Sequence, residues 1–164
     1  PALAGAQVVM VFGDDTLISA VEERVRASTV LHDRITLAGR VTRDELPNYY
    51  SAADLFVSGS HAEGSGYALI ESMSAGAIPV VTDIPSFRVI AGESGARWPP
   101  GDAAAFSAAL RDVCARNLPE EKRRVAAQYD RALRWEAIAR RTVDEYQSLV
   151  ESKPVLKTRL HHDS

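Results

Sequence analysis

Residues 54–82 read DLFVSGSHAEGSGYALIESMSAGAIPVVT, and this stretch decides the fold. Asp54 to Ser58 is a short apolar run of strand type. Tyr67 to Ala75 carries helical spacing and is closed by Gly76, and Ile78 to Thr82 is a second apolar run. Strand, glycine-rich loop, helix and strand in that order make the crossover unit of a parallel sheet. Pro79 predicts that the first residues of its strand are not fully laddered. Upstream, Gln7 to Phe12 is a continuous apolar run closed by Gly13-Asp14-Asp15, the pattern of a strand buried on both faces. Thr16 to Ser28 follows as a helix with Leu17, Val21 and Val25 on one side, and Ile35 to Ala38 is a strand ended at Gly39. Thr42-Arg43-Asp44-Glu45 has the form of a capping box and opens a short helix through Ala53.

Downstream, Ser86 to Ala91 reads as a short helix, Gly95 to Trp98 as a last strand, and Asp102 as the cap of the next helix. Pro119, placed at N1, starts a helical pattern that runs to about Val150 with a bend before Trp135. Its apolar candidates are Val125, Tyr129, Trp135, Ile138 and Leu149. Alternating strands and helices predict an α/β fold with an open, doubly wound parallel sheet. One domain is expected over residues 1–152, incomplete at its N-terminal edge, with a tail over residues 153–164.

Composition narrows the function. The 164 residues are 46% hydrophobic and 25% charged, which is globular rather than disordered. The formal charge of -3 leaves no basic excess to track a phosphate backbone, so nucleic acid is not an expected partner. The single cysteine, Cys114, lies in an apolar stretch and reads as a buried, inert thiol, which fits a reducing, cytoplasmic compartment. No apolar run is long enough to span a bilayer.

In open α/β sheets ligands bind outside the carboxyl ends of the strands, and the loop Ser60 to Gly66 lies at such an end. Its glycines let backbone approach a ligand closely, and the helix beginning near Gly66 aims free N–H groups and a positive dipole end into the crevice. This is an expected anion site, for phosphate. Glu71 stands five residues into that helix, about 7.5 Å along its axis, roughly the span from a diphosphate to the hydroxyls of an attached ribose. Glu63 flanks the same anion site from the side of the leaving group's substituent. His61, Arg40 and Arg88 are further polar groups near strand ends.

Glu63, seven intervening residues and Glu71 form an E-x7-E pattern. The longer string HAEGSGYALIESMSAGAIPVVT resembles the donor-binding half of retaining glycosyltransferases of family 4, the group 1 glycosyltransferases. ITLAGRVTRDELPNYYSAADLFVSGS, GARWPPGDAAAFSAAL and RWEAIARRTVDEY are similar to the flanking segments of that family, so the likeness runs from about Val8 to Leu149. The resemblance implies a Rossmann-like domain, the C-terminal half of a GT-B glycosyltransferase. It implies that Glu71 holds the ribose and that Glu63 is the catalytic carboxylate beside the transferred sugar. Backbone of Gly64, Ser65, Gly66, Tyr67 and Ala68 would touch the sugar or diphosphate, and Val41, after Arg40, the base.

Two positions depart from the family pattern: Ser65 stands where an aromatic is usual, and Ser58-Gly59-Ser60 where Pro-Ser is more usual. Nothing before Gln7 matches the family's Arg and Lys that neutralise the diphosphate. The chain therefore reads as a fragment whose acceptor-binding N-terminal domain is missing. The implied partner is a nucleotide-sugar donor, with no cofactor and no metal. Because family members often touch membranes through the acceptor half, peripheral membrane contact there stays open. Two other readings stand beside this one. Asp14-Asp15 resembles the acidic pair of receiver-like phosphoacceptor signalling modules, and a non-catalytic sugar-nucleotide-binding module would keep the same fold and site.

Overall fold

The computed structural model describes residues 5–152 of the chain. Five parallel strands alternate with helices. The first part holds β1 (Val8–Val11), α1 (Ile18–Arg26), α2 (Thr29–His32), β2 (Ile35–Gly39) and α3 (Leu46–Ala52). Then come β3 (Leu55–Ser58), α4 (Tyr67–Ser74), β4 (Ile78–Thr82), α5 (Pro85–Ala91) and β5 (Ala96–Trp98). Three helices close the described chain: α6 (Ala103–Ala115), α7 (Leu118–Ala132) and α8 (Trp135–Ser152). The expected tail over residues 153–164 lies outside the described residues.

The α/β reading holds, but the strands fall into two ladders rather than one sheet: β1–β2, and β3–β4–β5 with β4 at the centre. The core belongs to the second. All of β4 is buried, and Leu69 and Met73 of α4, Phe87 and Ile90 of α5, Trp98, Val113 and Val125 close around it. Pro79 sits within this central strand because β5 joins the ladder only from Val80, opposite Ala96, so the missing N–H faces no partner there.

The burial expected for the first strand is corrected. Val8, Val9 and Val11 are exposed, because among the described residues β1 is covered by little besides β2. The helix expected over Thr16 to Ser28 is shorter and is followed by α2, whose cap Ser28 accepts from the Leu31 N–H at 3.4 Å. The capping box forms as read, with the Thr42 N–H donating to Glu45 Oε2 at 2.9 Å and the Glu45 N–H to Thr42 Oγ1 at 3.3 Å, but it sits one turn ahead of α3. Asp102 caps α6 through the Ala105 N–H at 2.9 Å. Asn117 caps α7, which moves Pro119 from N1 to the second position. The bend before Trp135 is a break between α7 and α8. Trp135 and Leu149, two of the apolar candidates of this helical pattern, are 76% and 57% exposed, since among the other elements α8 packs chiefly on α7. Cys114 is half-buried, and burial raises its thiol pKa.

Candidate functional site

The loop between β3 and α4 is held from below. Thr82, fully buried at the carboxyl end of β4, donates its hydroxyl to the Ser60 carbonyl at 2.5 Å, and the Ser58 and Ser60 hydroxyls meet at 3.2 Å. The serines that replace the more usual Pro-Ser thus tie the loop to the ladder. His61 is exposed and lies beside the turn at Gly101.

The loop ends at Gly66, which is buried with φ at +64°. A Cβ here would fall 2.5 Å from Ile90 Cδ1, so the turn into α4 is built for glycine. The Tyr67 and Ala68 N–H groups that follow have no acceptor among the described residues, as the geometry of a helix start dictates. Glu63 closes this end, its Oε1 accepting the Gly66 N–H at 3.3 Å. Its carboxylate therefore lies at the positive end of the α4 dipole, where an anion is favoured. Glu63, Gly64, Ser65, Tyr67 and Ala68 are exposed, so this end of the helix is open to a ligand.

Glu71 is half-buried on the second turn of α4. It faces Tyr50 of α3, whose ring stands edge-on to Phe56 at 6.2 Å and 67°. Burial raises the Tyr50 pKa, and the nearby Glu71 charge raises it further. The sequence reading missed Tyr50. The only signal for it was its place just ahead of the Ala53-Asp54 that opens the third strand.

The structure brings Glu63, Gly64, Ser65, Gly66, Tyr67, Ala68 and Glu71 together on one helix start. Arg40 and Val41 belong to the other ladder, and among the described residues no hydrogen bond or ion pair joins them to α4. Arg40 instead donates to the Gly13 carbonyl at 2.7 Å, bracing the loop after β1, while Val41 is half-buried. Arg88 is engaged too, reaching Asp83 Oδ1 at 2.7 Å and Oδ2 at 2.9 Å. Those hydrogen bonds hold the Asp83 carboxyl below the ordinary aspartate range, with the Arg88 and Arg97 charges adding to the effect.

A cleft of about 610 Å³ runs along β5 between α5 and α6, and its arginines are paired as well. Arg97 lies 3.5 Å from Asp83, and Arg116 meets Asp112, Glu121 and the Gly95 carbonyl. This cleft seals a sheet edge with charge rather than offering free cations. Among the described residues no group of three His, Cys, Asp or Glu side chains could hold a metal ion, and no helix is long and apolar enough to cross a membrane.

The receiver-like reading loses its geometry. Asp14 accepts from the Thr16 N–H at 2.8 Å and from the Thr16 hydroxyl, so it caps its own turn. Asp54 stands at the amino end of β3, held by Lys122 at 2.8 Å, not at the carboxyl end where phosphoacceptor chemistry would need it.

Comparison with known proteins identifies relatives of the chain. The chain is 32% identical over 120 residues to the GDP-mannose:cellobiosyl-diphosphopolyprenol alpha-mannosyltransferase of Xanthomonas oryzae pv. oryzae (strain PXO99A), covering 71% of this chain and 32% of that protein. It is 29% identical over 140 residues to O-antigen chain mannosyltransferase B of Escherichia coli, covering 83% of this chain and 35% of that protein. Among solved structures, the sucrose-phosphate synthase of Thermosynechococcus elongatus superposes with a TM-score of 0.64 at 28% identity, covering 93% of this chain and 41% of that one. The chain thus spans about a third of the length of these curated relatives. Residues 2–116 match the family model described as "Glycosyl transferases group 1". A parallel α/β unit with a glycine-built helix start and a carboxylate on either side of it, matched by that model over most of its length, belongs to the group 1 glycosyltransferases of GT-B fold.

Proposed function

We propose that this chain is the donor-binding unit of a retaining glycosyltransferase that takes a nucleoside-diphosphate sugar, with a mannosyl donor carried by GDP as the first candidate. The observation that carries this reading is the start of α4: two N–H groups without acceptors, Glu63 on one side and Glu71 one turn further along. The names of the mannosyltransferase relatives support the choice of sugar and base. The N–H groups and the helix dipole meet the charge of the departing diphosphate. Glu71 accepts from the ribose hydroxyls. Glu63 leaves the Gly66 N–H to lie beside the transferred sugar as positive charge develops there. Val41 and Arg40 serve the base from the neighbouring ladder. The acceptor is held by a further domain of the whole protein, a reading supported by relatives of which the matched part covers only about a third.

Titration calorimetry with GDP, UDP and ADP tests the donor site. Glu71→Ala is expected to weaken the tightest of them by roughly tenfold to a hundredfold, the value of one charge-assisted hydrogen bond. Equal affinity of wild type and variant would remove Glu71 from the ribose site. In the intact protein, Glu63→Ala and Glu71→Ala are expected to reduce sugar transfer strongly. Binding without any transfer would identify a non-catalytic module.

A further inference from the structure

We propose that Thr82 is a positioning residue for sugar transfer: its buried hydroxyl, by holding the Ser60 carbonyl, fixes the backbone that carries Glu63. This rests on the reading of Glu63 as the carboxylate beside the transferred sugar.

The β3–β4 ladder ends where Ser58 lies opposite Val81, so beyond Ser58 no ladder pairing holds the outgoing chain to β4. One residue further along β4, the Thr82 hydroxyl takes over and donates to the Ser60 carbonyl at 2.5 Å. The donor is rigidly mounted. Thr82 is fully buried, stands opposite Trp98 in the β4–β5 ladder, and gives its own carbonyl to the Ile84 N–H at 2.9 Å. Its branched side chain has one stiff rotor. The far end of the loop is fixed as well, at the buried Gly66 with its φ of +64°. Between these two anchors residues 61–65 are all exposed, and Glu63 stands three residues from each. A short stretch pinned at both ends keeps few backbone conformations, and one released at one end gains many. The Glu63 carboxylate can then exchange the Gly66 N–H, 3.3 Å away, for the sugar by turning about its own side-chain bonds while its Cα stays in place. Without the Thr82 hydroxyl, the Ser60 carbonyl turns to water and carries the loop with it. A carboxylate displaced by an ångström loses much of its effect on a transition state. The start of α4 and Glu71 hang on Gly66 rather than on Ser60, so binding of the nucleotide part is left intact.

Thr82→Val keeps the branched shape and deletes the hydroxyl, whereas Thr82→Ser keeps the hydroxyl. The test uses the intact protein and reads release of free nucleotide from GDP-mannose, UDP-glucose and ADP-glucose, with calorimetric affinity for the free nucleotide of whichever turns over. Urea melts set a temperature at which every variant is folded, and Thr82→Ala replaces Thr82→Val if the latter does not fold. Thr82→Val should lower kcat about tenfold and leave nucleotide affinity within about twofold. Thr82→Ser should stay within about threefold of wild type, and Thr82→Val should add little in a Glu63→Ala background, the coupling expected of two groups acting as one. Unchanged kcat in Thr82→Val while Glu63→Ala is impaired overturns the proposal. So does a loss that is equal in Thr82→Ser, that nucleotide affinity matches, or that persists in full in the Glu63→Ala background, each the mark of a merely structural hydroxyl. Glu63→Ala without effect, or a wild type that releases nucleotide from none of the three donors, removes the reading of Glu63, and this proposal with it.

Discussion

Gly66 and Gly95 have almost the same positive φ, +64° and +65°, and differ in what a side chain would meet. At Gly66 an added Cβ lies 2.5 Å from Ile90 Cδ1, the far end of a side chain that can rotate away. At Gly95 it lies 1.8 Å from the Pro79 carbonyl oxygen, which belongs to the central strand. Alanine at either position costs about 1–2 kcal/mol for the positive φ. At Gly66 a displaced Ile90 adds about 0.5–1.5 kcal/mol. At Gly95 the backbones of β4 and β5 must separate by more than an ångström where Val80 pairs with Ala96, in a core that cannot absorb it. Overpacking adds about 1–3 kcal/mol and a lost ladder hydrogen bond about 1 kcal/mol more.

Gly95→Ala is therefore expected to cost about 4 kcal/mol or more and Gly66→Ala about 2–3 kcal/mol, against a total of roughly 5–15 kcal/mol for a domain. Urea denaturation followed by circular dichroism measures both. The melting temperature of Gly95→Ala should fall by roughly 8–16 °C. If the two variants come within about 0.5 kcal/mol of each other, the close approach of β5 to Pro79 contributes nothing, and the reasoning fails.

Nucleotide binding is expected to be independent of divalent metal, because the anion is met by backbone N–H groups. Loss of binding on adding a chelator, restored by magnesium or manganese, would refute this. The Asp83 carboxyl titrates below its unfolded value, so its contribution to stability is present above about pH 4 and is lost as pH falls through the lower folded pKa. Asp83→Asn should accordingly lose less stability than wild type in urea melts taken between about pH 5 and pH 3, and parallel curves would show that the Arg88 contact has no pH linkage.

The elements whose signals are local were legible in the sequence. The box at Thr42 and Glu45, the cap at Asp102, the closure at Gly76 and the break before Trp135 each depend on neighbours a few residues away. The start of α4 was legible for the same reason, since loop, glycines and both glutamates lie within one short stretch. What failed depends on contacts remote in the chain. An apolar run such as Val8 to Val11 states that it can be buried, but burial needs neighbours, and among the described residues β1 pairs with β2 alone. Arg40 and Arg88 looked available for phosphate because nothing in the sequence reveals that Gly13 and Asp83 hold them. Tyr50 comes under the influence of the Glu71 charge only because α3 packs on α4, which no spacing rule announces.

Those engaged arginines set the affinity to expect of this chain by itself. From Asp44 to Phe87 the sequence contains no lysine or arginine, so the stretch that carries both glutamates has no cationic side chain of its own. Of the arginines on either side, Arg40 is held by the Gly13 carbonyl and Arg88 by Asp83, while Arg43 is exposed ahead of α3 with no hydrogen bond or ion pair among the described residues. A diphosphate is then met by the helix start, worth up to about 2 kcal/mol, while Glu71 holds the ribose for about 1.5–3 kcal/mol. Glu63 opposes the first of these, since its carboxylate already lies on the Gly66 N–H that an incoming anion would face. The net is about 4 kcal/mol or less, a dissociation constant near 1 mM or weaker. Raising the salt should change it little, because the stretch that carries the site has no side-chain cation of its own. Calorimetry of the 164-residue chain against GDP, UDP and ADP reads this directly. Micromolar affinity for any of them, falling steeply with salt, would mean that side-chain cations within this chain do reach the diphosphate, whether Arg43, Arg40 released from the Gly13 carbonyl, or Arg88 released from Asp83.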